Sequence, residues 1–414
     1  MPCTCNRRIF LKNSAMALVS LGLGPRFLTR AAYAASSSGA GKVLVAIFQR
    51  GAADGLNMVV PFSDPNYSAA RGAIRIPPPG QSGGAIDLDG RFGLHPALQP
   101  LKSLYNSKQL AIVHACGSPD PSRSHFDAQD YMETGTPGQP YPDGWLNRHL
   151  QTQSGGGSIF RATSMTSDTP RILGGSAPVL AINSLEDLQF SGPSGDLRQV
   201  TIERMYGRRD DLLGRTTQEA LRAVELAAEL DPAGYAPAHG AQYPEGVFGA
   251  QLKNIAQIIK ADVGLEIAFA NLDGWDTHSN QGAGSGVMAV YLDDLATSLA
   301  AFHQDLGDRM EDVCVLTMSE FGRTVEENGS GGTDHGHATA MFVLGGSVKG
   351  GTIYGDWPGL EREQLFEGRD LAVTTDFRNL FAEIVVKHLG NNAVDAVFPG
   401  FHYNPAAALN LLKG

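Results

Sequence analysis

Val43-Leu44-Val45-Ala46-Ile47-Phe48 is an unbroken apolar run that ends in Gln49-Arg50-Gly51-Ala52-Ala53-Asp54-Gly55, a polar turn rich in small residues. An apolar run this short, bounded by a turn, reads as a strand buried on both faces, the kind found inside parallel sheets. The pattern recurs downstream. Gln109 to Ala115 is a second strand candidate; it leads into the polar turn Gly117 to Arg123, and Ser124-His125-Phe126-Asp127 then fits a helix N-terminus. Strand, polar turn, helix thus occurs twice, with a Pro- and Gly-rich excursion (Ile76 to Gly84) and a short helix opened by Pro96 between them.

Gln151 to Pro244 is less regular. It is rich in Gly, Ser, Thr and Pro, carries a helix with Ala220, Ala223, Val224 and Ala227 on one face, and reads as an insertion that covers the site. From Leu252 the alternation resumes. Leu252, Ile255 and Ile259 share a helix face, Leu265 to Ala270 reads as a strand, and Tyr291, Leu295, Leu299, Phe302 and Leu306 mark a second amphipathic helix. Val313 to Met318 and Ala340 to Leu344 are further strands, and Phe377, Leu380, Phe381 and Ile384 are the inner face of a late helix. Alternating strands and helices predict a three-layer α/β/α sandwich with a mainly parallel central sheet. Ligands in such sheets bind outside the carboxyl ends of the strands.

Charge divides the chain in two. The 414 residues include 32 Lys+Arg and 43 Asp+Glu, a formal charge of −11, yet residues 1–34 hold Arg7, Arg8, Lys12, Arg26 and Arg30 and no acid. Asn6-Arg7-Arg8-Ile9-Phe10-Leu11-Lys12, the uncharged stretch Asn13 to Gly24 and the small-residue site Ala32-Tyr33-Ala34 resemble a bacterial twin-arginine export signal cleaved after Ala34. The expected product, residues 35–414, is a single periplasmic or secreted domain with 27 basic and 43 acidic residues, a charge of −16. Its expected partner is the export machinery. That charge disfavours nucleic acid, and no later stretch is long and apolar enough to span a membrane. Only Cys116 and Cys314 of the four cysteines remain, and they read as buried free thiols.

Residues capable of chemistry gather where strand candidates stop: Asp54, Ser122 to His125, Asp276 with His278, Glu320, and Asp334 with His335 and His337. Carboxylate and neutral imidazole suit zinc, manganese or iron, and oxygen-rich sites suit calcium or magnesium. His95, His114, His149, His303 and His388 are scattered and read as structural. Gly345-Gly346-Ser347 with Lys349-Gly350-Gly351 lacks the phosphate-loop spacing, and no serine-hydrolase elbow is in register.

Six motifs stand in order along the chain, the twin-arginine leader followed by Arg50-Gly51-Ala52-Ala53-Asp54-Gly55-Leu56-Asn57, Arg123-Ser124-His125-Phe126, Gly274-Trp275-Asp276-Thr277-His278, Ser319-Glu320-Phe321-Gly322-Arg323-Thr324 and Gly332-Thr333-Asp334-His335-Gly336-His337. Together they resemble the exported bacterial proteins of domain-of-unknown-function family 1501, which looks like a remote branch of the alkaline phosphatase and sulfatase superfamily. The resemblance implies an alkaline-phosphatase-like sandwich and metal-dependent hydrolysis of small-molecule or polymer esters of phosphate or sulfate, with zinc foremost and calcium, manganese or magnesium as alternatives. It implies Asp54, Asp276, His278, Glu320, Asp334, His335 and His337 as metal ligands, Ser124 as nucleophile, and Arg123 or Arg323 as the clamp on anionic oxygens. Ser319-Glu320-Phe321-Gly322 resembles the superfamily's Ser-Asp-His-Gly turn with Glu320 and Phe321 substituted. Pro119-Asp120-Pro121-Ser122-Arg123 resembles the sulfatase signature with proline in place of the modified cysteine, which argues against formylglycine chemistry. The alternatives are a catalytically degenerate member that binds a carbohydrate or cell-surface component, and a calcium ion with a purely structural role.

Overall fold

Alternate residues of the Val43–Phe48 run enter two different cores: Val43, Val45 and Ile47 face one, and Leu44, Ala46 and Phe48 face the other. That two-sided burial is why the run is apolar without interruption. The computed structural model describes residues 41–153, 158–188 and 230–413, with isolated positions between 201 and 224. The leader at 1–34 and most of the helix expected after Thr216 lie outside the described residues.

The central sheet is built, in chain order, from β1 (Val43–Arg50), β2 (Leu110–Gly117), β3 (Ala162–Ser164), β4 (Leu180–Ala181), β5 (Ile267–Asp273), β6 (Val313–Met318), β7 (Thr339–Gly345), β8 (Thr352–Tyr354) and β9 (Thr375–Asp376). Across the sheet they run β8-β2-β7-β6-β1-β5-β3-β4, with β9 pairing the end of β2. All pairings are parallel except those of β7, which runs antiparallel to both β2 and β6. Five longer helices matter below: α1 (His125–Thr134), α2 (Trp145–Thr152), α3 (Val247–Lys260), α4 (Val287–Leu306) and α5 (Phe377–Lys387). Leu252, Ile255 and Ile259 of α3 and Leu295, Leu299 and Phe302 of α4 cover one face of the sheet. Trp145 and Leu146 of α2 and Phe377, Phe381 and Ile384 of α5 cover the other. This is the three-layer sandwich with a mainly parallel sheet that the alternation of elements implies.

Two features depart from expectation. The stretch from Gln151 to Pro244 is not wholly irregular, because β3 and β4 extend the sheet beyond β5; strands of three and two residues are too short to carry a readable period. The strand expected at Leu265 starts at Ile267 instead; just before it, the Glu266 side chain pairs with His149 (Oε1 to Nε2, 2.7 Å) and Arg161 (Oε2 to Nε, 2.6 Å). Cys116 and Cys314 are buried free thiols. His95, His114 and His388 bond backbone carbonyls inside the fold.

Phe48 and Phe302 are fully buried on opposite faces of the sheet. Truncating either to alanine should cost about 3–5 kcal/mol, read from urea denaturation midpoints. Burial pushes the Glu266 carboxyl up, but His149 and Arg161 pull it further down, so it lies below its ordinary value of 4.5. A carboxyl depressed on folding contributes stability that is complete above the unfolded pKa and disappears as pH falls through the folded one. Glu266→Gln should therefore be less stable than wild type at neutral pH, and the difference should vanish below the depressed pKa, as measured by denaturation at several pH values.

Candidate metal centre

The carboxyl end of β1 runs into a turn that is tight for steric reasons. Gly51 has φ of +116°, and a Cβ there would lie 2.5 Å from the Asp276 backbone nitrogen. Only glycine lets the turn after β1 and the loop after β5 approach this closely. Beside this contact the Ser124 oxygen accepts from Asp127 N to start α1 at His125, while the loop before β7 brings in Asp334 and His335.

Four donor atoms converge. His335 Nε2 lies 3.0 Å from His125 Nε2 and 2.9 Å from His278 Nε2. Asp276 Oδ1 lies 3.0 Å from His278 Nε2, 3.3 Å from His335 Nε2 and 3.5 Å from His125 Nε2. Each histidine is gripped at its other nitrogen by an acceptor: His125 Nδ1 donates to Glu320 Oε1 at 2.8 Å, His278 Nδ1 to Asp334 Oδ1 at 3.1 Å, and His335 Nδ1 to the Arg123 carbonyl at 2.8 Å. A neutral imidazole that donates from Nδ1 presents a lone pair at Nε2. With the rings neutral, the lone pairs of His125 and His335 and the Asp276 oxygen form one group 3.0–3.5 Å apart, with His278 adjoining it through Asp276 and His335, an arrangement that repels itself unless a cation or a proton lies there. Donors about 2.0–2.1 Å from a tetrahedral zinc are about 3.3 Å apart, close to the spacings found. The donor set thus fits a divalent ion of the zinc class.

The surroundings tune these groups. Glu320 is fully buried; burial pushes its carboxyl up, but bonds from His125, Gln129 and the Gly51 nitrogen bring it below the ordinary range. The same Glu320 bond raises the pKa of His125, whereas burial lowers that of His335. Asp276 is raised by burial and lowered more by Arg323, whose guanidinium donates to Oδ1 at 2.6 Å. Phe321 packs against both His125 and His335, with ring centroids 4.9 and 5.0 Å away, and walls the cluster from within.

Of the ligands expected from sequence, Asp276, His278 and His335 meet at the cluster. Glu320 and Asp334 stand one bond behind it. Asp54 does not reach it: its carboxylate is buried and taken up by Arg71 (2.5 and 3.0 Å) and Gln281 (2.7 Å). His337 turns away, its Nε2 donating to the Ser118 carbonyl and its ring tilted against Phe366. Arg323 is too buried to hold a substrate; besides Asp276 it donates to the carbonyls of Gly51, Ala52, Trp275 and Thr333. Arg123 is paired with Asp370 and Glu367, and Ser124 caps α1. His125 is a donor absent from the ligand set that the resemblance implied, although it closes the polar stretch Ser122 to His125. It sits in the quoted Arg123-Ser124-His125-Phe126 motif, at a strand-end position like the others, and that position was its signal.

Similarity to solved structures is found for an alkaline phosphatase from the Antarctic bacterium TAB5 (10% identity, TM-score 0.28, covering 74% of this chain and 92% of that one). It is also found for the lipoteichoic acid synthase LtaP from Listeria monocytogenes (12% identity, TM-score 0.28, covering 76% of this chain and 69% of that one). No curated protein matches the chain. A family model matches residues 41–393, and the chain accordingly belongs to the family described as protein of unknown function, DUF1501.

Proposed function

We propose that the protein is a metal-dependent hydrolase of phosphate or sulfate esters, its divalent ion, zinc foremost, held by His125, Asp276, His278 and His335. The observation that carries this reading is the grouping of the His125 and His335 Nε2 atoms with Asp276 Oδ1, with His278 adjoining it, each histidine fixed by an acceptor at Nδ1. Such an ion supplies Lewis acidity, drawing charge from an ester oxygen and acidifying water. The chain's own residues do the rest. Glu320 and Asp334 keep the His125 and His278 protons on Nδ1, and Arg323 fixes the Asp276 carboxylate. Arg123 and Arg369 converge on the buried Asp370 beside His335, and both are partly exposed; to hold anionic oxygens they would have to share their guanidiniums with these present partners. Asp276 and His278, with side chains 47% and 44% exposed, leave the cluster open to an incoming substrate. Ser124, next to His125, is the proposed nucleophile; its hydroxyl oxygen accepts a bond from Asp127 N as the cap of α1.

On this reading the protein acts outside the cytoplasm, delivered by the twin-arginine machinery. The support is the paired-arginine leader. No helix among the described residues is long and apolar enough to cross a membrane. One observation favours a second reading, a catalytically inert binding protein whose ion only holds loops together: the grouped donors come from three separate segments, at the start of α1, after β5 and before β7.

Elemental analysis of the purified protein should find a bound transition metal that is lost in His125→Ala and Asp276→Ala, and Glu320→Gln should weaken its binding about 10–100-fold. A panel of phosphate and sulfate esters, with and without chelator, should show chelator-sensitive turnover that the two alanine variants lack. Metal without turnover on any ester selects the binding protein; no metal at all overturns both readings. Ser124→Ala separates nucleophile from cap. Loss of all turnover supports attack by the hydroxyl, whereas retained turnover with about 1 kcal/mol of lost stability leaves Ser124 as a cap alone.

A further inference from the structure

Gln281 lies beneath the cluster, fully buried, and touches none of its four donor atoms. Its Nε2 donates to Asp54 Oδ2 at 2.7 Å. Its Oε1 accepts from two hydroxyls, Thr277 Oγ1 at 2.8 Å and Thr333 Oγ1 at 2.9 Å. The orientation of the amide follows from its neighbours. Asp54 is a carboxylate that can only accept, so the NH2 group must face it and the oxygen must face the two threonines. Asp54 in turn cannot rotate, because Arg71 donates to both its oxygens while bonding the Thr324 and Val325 carbonyls.

The two threonines are the informative part. Thr277 lies between Asp276 and His278, and Thr333 immediately precedes Asp334 and His335. The side chains of Asp276 and His278 reach the cluster, while the Thr277 hydroxyl bonds Gln281. One amide oxygen therefore joins the two loops that carry three of the four donors, on the side opposite to the ion. The loops also touch through the backbone, where Thr333 N donates to the Thr277 carbonyl at 3.1 Å and Gln281 N to the Gly331 carbonyl at 2.9 Å. Those bonds set the separation of the chains; the side-chain bonds fix the rotation of each loop about its own axis, which decides where Asp276 and His335 aim.

We propose that Gln281 is a positioning residue that locks the two ligand-bearing loops in register, so that tight metal binding at His125, Asp276, His278 and His335 depends on an amide that touches neither ion nor substrate. The proposal rests on the reading of the cluster as a metal centre. Asp54, expected from sequence to be a ligand, is on this account the fixed anchor of the brace, its charge already matched by Arg71.

Removing Asp54 or Arg71 would leave a buried charge unpaired and unfold the chain, so the test uses the hydroxyls. Zinc affinity by chelator competition and the visible spectrum of the cobalt(II)-substituted protein are measured for wild type, for Thr277→Val with Thr333→Val, and for Thr277→Ser with Thr333→Ser. Valine keeps the shape of threonine but cannot donate; serine keeps the donor. The valine pair should bind zinc about 10–100-fold more weakly, the range typical of groups that orient ligands, with altered cobalt bands. The serine pair should restore wild-type affinity and spectrum, an outcome that a role in packing alone would not give. Gln281→Met, which removes donor and acceptor together, should match the valine pair. Wild-type affinity and an unchanged cobalt spectrum in the valine pair would overturn the brace while leaving the metal centre intact. A wild-type protein that takes up no zinc or cobalt would overturn the metal centre itself.

Discussion

Four electron-rich atoms, the Nε2 atoms of His125, His278 and His335 and Oδ1 of Asp276, each lie 2.9–3.5 Å from neighbours in the set, with no proton between them when every imidazole is neutral and donates outward from Nδ1. This repulsion has to be opposed by the structure behind it. Glu320, Asp334 and the Arg123 carbonyl each accept an Nδ1 proton, and Arg323 restrains the carboxylate. Loss of any of these supports would let an imidazole rotate away and relieve the strain. The sheet matters to the site mainly as the rigid frame on which the supports stand: Glu320 follows β6, Asp276 follows β5, and His125 opens the helix after β2.

Loops of irregular backbone near a sheet end carry carbonyls that no ladder satisfies. Here two buried guanidiniums do much of that work. Arg71 bonds Thr324 and Val325, and Arg323 bonds Ala52, Trp275, Thr333 and Gly51. Burying an arginine is costly unless its charge and its donors are all matched. Asp54 matches the first and Asp276 the second, so the loops, the ion pairs and the donor atoms form one mutually dependent unit.

How much of this was legible in sequence follows from distance along the chain. β1 and β6 were readable because burial on both faces leaves an uninterrupted apolar run, and α3 and α4 because one buried face repeats at helical spacing. The Asp276-Thr277-His278 triplet was readable because a carboxylate and an imidazole stand together just past the end of a strand. Asp54 was misread because the guanidinium that claims it comes from Arg71, 17 residues on, in a segment whose return path no local pattern reveals. His337 was misread for the same kind of reason: the chain turns at Gly336, which fits against the Arg323 backbone, and the two flanking histidines diverge. His125 was passed over because a histidine opening a helix has an ordinary reading, and only the folded chain brings it against His335.

The unequal exposure of the donors bears on how such a centre can work. His125 and His335 are about a quarter exposed, each backed by packing on Phe321, whereas Asp276 and His278 are nearly half exposed and come from a single loop. A set of four equivalent, enclosed donors would suit an ion with only a structural task. An unequal set has a stable side and a yielding side, and the yielding side here is the one that faces solvent. On the reading of the site as a hydrolase, substrate approaches over the loop from Asp276 to His278, and the chemistry then depends on how firmly that loop is held from below. Thr277 is the point at which it is held.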